Sequence, residues 1–149
     1  MSGRCRHLLA RFREMGRPVT SQEEDARFAG RFLTSTEMDL WRTMDDFDKR
    51  HSIDVTRRFV AKRSDATRDE MAAALLHDVG KSVIRLGRFG RSVATLLPVT
   101  ASMRRYRDHE RIGADMLLQA GVSKRTVDLV RGATDDDAAR QLRAADDGD

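Results

Sequence analysis

Apolar residues along this chain recur at three- and four-residue steps between charged ones, and no stretch shows the strict alternation of a half-buried strand. Phe47, His51, Val55 and Phe59 recur every four residues and would form one stripe on a helix. Spacing, caps and breakers predict helices near 4–15, 21–33, 36–44, 48–63, 67–78, 88–97, 105–120, 123–131 and 135–146, the first stopping at Gly16, Arg17 and Pro18. Ser21 with Glu24, and Thr67 with Glu70, have the spacing of a capping box, in which a hydroxyl and a carboxylate satisfy free backbone N–H groups. Thr36, Ser123 and Asp135 are expected N-caps, and Gly80 and Gly121 stand where a helix can end in a left-handed residue. Only Pro18 and Pro98 interrupt a chain rich in alanine, leucine and arginine. The expected architecture is all-α: a single-domain helical bundle over 36–149 preceded by a helical extension over 1–35.

Several titratable residues fall on the apolar faces of these helices. His51 lies in the stripe just described, Ala73 precedes His77 by four, Leu142 precedes Asp146 by four, and His109 shares a face with Ile112 and Met116. A buried imidazole or carboxylate is costly unless it is hydrogen-bonded or bound to a cation, so this convergence points to a shared internal site. Asp147 and Asp149 are near alternatives to Asp146, but three- and four-residue steps from Ala139 and Leu142 favour Asp146.

Composition narrows the class. With 149 residues, 40% hydrophobic and 35% charged, the chain can bury one core. No window approaches the roughly eighteen apolar residues of a membrane span, and no signal peptide or anchor is visible. The single cysteine, Cys5, cannot form an internal disulfide, so a cytoplasmic location is expected. The net charge of +4 conceals a segment, Val79 to Arg107, with Lys81, Arg85, Arg88, Arg91, Arg104, Arg105 and Arg107 and no acidic residue. Anions should prefer it. Nucleic acid is an unfavoured partner, because the segment has no reader motif and only Phe89 and Tyr106 for stacking.

The most informative string is Ala72 to Lys81, A-A-A-L-L-H-D-V-G-K. It resembles the HD-domain superfamily of metal-dependent phosphohydrolases, whose pattern is a histidine on one helix, a His-Asp dyad ending a later helix and a distant aspartate. Asp48, Lys49, Arg50, His51 and Ser52, with Val55, look like the first-histidine helix; His77 and Asp78 match the dyad. His109, Glu110, Ile112, Gly113, Ala114, Met116 and Leu117 look like the H-x-x-x-G-A-x-x-L segment that follows the dyad in many members, and Leu142 to Asp146 resembles the closing L-x-x-A-D. The likeness covers about Leu40 to Asp146. Two departures stand out: the adjacent histidine pair of two-metal members is replaced by Val130, Arg131, Gly132 and Ala133, and the GYP signature of cyclic-di-GMP phosphodiesterases is absent.

The resemblance implies an HD-type bundle with one divalent ion on His51, His77, Asp78 and Asp146, His109 being an additional or supporting residue. Two imidazoles and two carboxylates suit Mn²⁺, Co²⁺, Ni²⁺, Fe²⁺ or Zn²⁺ alike. The expected reaction is metal-assisted hydrolysis of a phosphate monoester or nucleotide, with Lys81 and Arg50, and with less support Arg85 or Arg88, meeting substrate phosphate and Glu110 available for proton transfer. The expected partner is a small anionic phosphate-containing substrate such as a nucleotide, and a homo-oligomer is compatible with the sequence. The alternative is a catalytically weak or inactive HD-like module that binds a metal or nucleotide as a signal.

Overall fold

The computed structural model describes residues 22–82 and 101–148, the side chains of 101–107 apart. Among them are seven helices and no strand: α1 (Gln22–Ala29), α2 (Ser35–Arg42), α3 (Asp46–Lys62), α4 (Arg68–Leu76), α5 (Ala101–Gln119), α6 (Lys124–Arg131) and α7 (Asp137–Asp147). The protein is all-α. No helix among the described residues is long and apolar enough to cross a membrane. The helices expected over 4–15 and 88–97, the Ser21 cap, and Arg85 and Arg88 lie outside the described residues.

The centre of the fold is α4. Ala72, Ala73, Ala74, Leu75 and Leu76 are all fully buried, as a helix apolar on every side must be. It packs against α2, α3 and α6, while α3 also carries α1 and α7. Trp41, Ile53, Val55, Phe59, Leu117, Val127 and Leu142 fill the core around it, joined from the N-terminal side by Phe28, Ala29, Phe32 and Leu33. The Trp41 indole N–H, which burial would otherwise leave unsatisfied, donates to Ser52 Oγ at 3.1 Å.

Two expected caps are displaced. Thr36 is the second residue of α2, and Thr34 caps the helix instead: its hydroxyl accepts from Glu37 N, while Thr34 N donates to Glu37 Oε2 at 2.7 Å. Only Thr34 has a glutamate three residues on, which the reciprocal box requires. Likewise Asp136, three residues before Ala139 N, caps α7 at 3.0 Å, and Asp135 pairs with Arg143 instead. Thr67 with Glu70, and Ser123, cap as expected. Helix α1 ends at Ala29, short of 33, where Gly30 weakens helix propensity. Gly121 is left-handed at φ 73° as expected, but Gly80 is not. After α4 the chain continues through the turn His77 to Val79 into helical residues at 80–82, with Lys81 N bonded to Asp78 O. Gly80 is needed for a different reason: a Cβ there would stand 2.0 Å from His109 O and 2.7 Å from Gly113 N, so α5 can approach this turn only if the residue has no side chain.

Candidate metal centre

Three elements deliver the cluster. His51 comes from the middle of α3, Asp146 from the last turn of α7, and His77 caps the C-terminus of α4 with Asp78 directly after it. Adjacent residues on a regular helix diverge by about 100°; the turn that follows Leu76 lets the dyad converge. His51 Nε2 is 2.8 Å from Asp146 Oδ1, and His77 Nε2 is 3.3 Å from the same oxygen and 3.4 Å from Asp78 Oδ2. The His51 and His77 rings meet edge to face, centroids 5.5 Å apart. His51, His77 and Asp78 each offer a ligand atom within 4.8 Å of the others, so this group could hold a metal ion.

The imidazole of His77 decides the chemistry. Its Nδ1–H donates to the Ala74 carbonyl at 2.8 Å, which fixes the ring and turns Nε2 toward the carboxylates. Nε2 is buried and pairs with both carboxylates at ion-pair distance, 3.3 and 3.4 Å, longer than a well-formed hydrogen bond. Burial disfavours a charge on this ring, yet Asp78 and Asp146 push its pKa up to about 9. The position therefore attracts a cation, whether a proton or a metal ion. Burial also works against the Asp146 carboxylate, but His51 and His77 hold it well below the usual carboxylate range. Its side chain is 32% exposed, so the cluster opens to solvent on the α7 side.

Around this group, His109 is buried with Nε2 3.5 Å from Asp78 Oδ1. Burial opposes ionisation of Asp78 as well, while His77 and Lys81 lower its pKa. Glu110 is half-buried beside Gly132; burial raises its pKa, and it feels the charges of His109, Asp146, His77 and Asp78. Asp147 is exposed.

Two side chains lie differently from expectation. Phe47 does not join the inward stripe: it is 37% exposed, its ring parallel to that of His51 with centroids 6.5 Å apart. It stands in the first turn of α3, beyond the edge of the core. Arg50 is exposed and its Nε donates to Asp46 O one turn back, so it makes no hydrogen bond or ion pair with the cluster. Lys81 is close, its Nζ 2.5 Å from Asp78 Oδ2 and 3.9 Å from Asp48 Oδ1. Asp48 was missed as a site residue. It is buried three residues before His51, on the same face of α3, and burial raises its pKa despite the opposing Lys81 charge. The i,i+3 spacing to His51 was the signal that could have found it. No family model, curated protein or solved structure matches the chain.

Proposed function

We propose that this chain is an HD-type metal-dependent phosphohydrolase in which His51, His77, Asp78 and Asp146 hold one divalent ion and the substrate is a phosphate monoester such as a nucleotide. The observation that carries the reading is the convergence of His51, His77 and Asp78, whose ligand atoms lie within 4.8 Å of one another, with the buried His77 Nε2 facing Asp78 and Asp146 at 3.4 and 3.3 Å. Neutral imidazole nitrogens with carboxylates are the donor set of a borderline divalent ion. When bound, such an ion supplies Lewis acidity toward water and toward a phosphoryl oxygen. The protein's own groups supply the rest. The Ala74 carbonyl keeps His77 in one tautomer, and Asp146 orients His51. Lys81 would bring an ammonium to neutralise phosphate charge, and Glu110, half-buried beside Gly132, is the candidate for proton transfer.

Elemental analysis and a panel of phosphate esters on one preparation test the proposal. About one divalent ion per chain is expected, with hydrolysis of at least one ester. His77→Ala and Asp78→Ala should lose both while circular dichroism shows a retained helical fold. Full metal retention in both variants would overturn the site. An ion-loaded parent that hydrolyses none of the panel would instead favour the metal- or nucleotide-binding module.

A further inference from the structure

Lys81 is placed where it competes with any ion that Asp78 would bind. Its ammonium lies against Asp78 Oδ2, the same oxygen that faces His77 Nε2, so two cations would have to share one carboxylate oxygen. Like charges at that separation repel strongly in a partly buried site. A second acceptor stands within reach of the same ammonium: Asp48 Oδ1 is 3.9 Å from Nζ. Asp48 is buried and, among the described residues, Lys81 is its only ion-pair partner. Lys81 and, at longer range, His51 and His77 favour its charge, but its one ion pair is long, so a closer approach of the ammonium would be favourable.

We infer that Lys81 is a built-in cation that neutralises Asp78 and passes to Asp48 when a divalent ion takes Asp78, so that Asp48 is a positioning residue for metal uptake and not itself a ligand. The inference rests on the metal-site reading proposed above but not on hydrolysis. Lys81 follows Asp78 by three residues, its N–H bonded to the Asp78 carbonyl at 2.9 Å, so the transfer needs only side-chain rotation about a fixed backbone.

The test is Co²⁺ affinity, measured by competition with a chelator, for the parent, Asp48→Asn, Lys81→Met and the double variant. Lys81→Met removes the competitor and should bind Co²⁺ about tenfold more tightly, while Asp48→Asn leaves Lys81 no second partner and should bind about tenfold more weakly. In the Lys81→Met background the Asp48→Asn penalty should shrink to less than about threefold, because only its long-range charge effect remains. A penalty as large there as in the parent would overturn the inference, since Asp48 would then act directly on the ion. If Lys81→Met fails to fold by circular dichroism, Lys81→Gln takes its place in the cycle. A parent that binds no Co²⁺ overturns the metal-site reading itself, which is a distinguishable failure.

Discussion

At the N-terminal end of α4, the buried Glu70 accepts from Thr67 N at 3.0 Å, Arg63 Nε at 3.2 Å and Arg125 Nη2 at 2.9 Å. Nearby Glu37 accepts from Thr34 N and from both terminal nitrogens of Arg68 at 2.6 and 3.2 Å. Burial opposes the charge on both glutamates, yet these donors hold both pKa values below the ordinary one. At the C-terminal end, Asp48, Asp78 and Asp146 share Lys81 and the imidazoles of His51, His77 and His109. There the buried His77 Nε2 lies 3.3 and 3.4 Å from two carboxylate oxygens, and burial pushes the Asp48 pKa up. Both ends bury charge, so buried charge alone does not identify a binding site. What separates them is the kind of partner: at the first end each carboxylate is saturated by arginine and backbone donors, whereas at the second the carboxylates face imidazoles whose charge is exchangeable, a proton held there with a pKa pushed up to about 9 on His77.

The largest effect should come from Gly80→Ala, which puts a Cβ into the His109 and Gly113 backbones, neither of which can rotate aside. A loss of about 3 kcal/mol or more is expected, read from the urea midpoint; parental stability would mean that α5 does not cross the dyad turn so closely. Glu70→Gln should cost about 2 kcal/mol with Co²⁺ affinity unchanged, because it unbalances Arg63 and Arg125 at the saturated end only. The sign with pH follows from the lowered values. The stabilisation from Glu37 and Glu70 is complete above the ordinary 4.5 and is lost as pH falls through the folded-state values. The parent's Tm should therefore drop more steeply on acidification than that of Glu70→Gln. Excess Co²⁺ at about a hundred times its Kd should add roughly 2.7 kcal/mol to both of these proteins and nothing to His77→Gln; a retained shift in His77→Gln would erase the distinction between the two ends. Smallest of all, Asp147→Asn should change stability by less than about 0.5 kcal/mol and leave the Co²⁺ shift intact, while Asp146→Asn abolishes the shift.

Periodicity made the helices legible and told which residues face inward, so the meeting of His51, His77, Asp78 and Asp146 could be anticipated from spacing and from a resemblance together. It could not tell what an inward face would meet. Gly80 looked like a helix terminator because its role depends on α5, many residues away. Thr34 and Asp136 displaced their neighbours as caps because capping depends on a partner three residues on, and Glu37 and Ala139 N supplied it. Phe47 kept the stripe's spacing but lay one turn past the edge of the core. The saturated end of α4 was invisible apart from its capping box, since Arg63 and Arg125 reach Glu70 from other helices.

Helix α7 joins the two ends: Asp136 and Asp137 at its start bind Arg125 and Arg63, and Asp146 at its finish meets His51 and His77. Asp146 follows His51 by 95 residues. On a ribosome adding about 5–20 residues per second, that separation is a delay of roughly 5–20 seconds. Through that interval the emerging chain carries His51, and later the dyad, without the helix that closes over them. Until the arginines have docked α7, the two imidazoles lack the Asp146 carboxylate, so the cluster passes through an open, incompletely paired state that ends only when α7 packs.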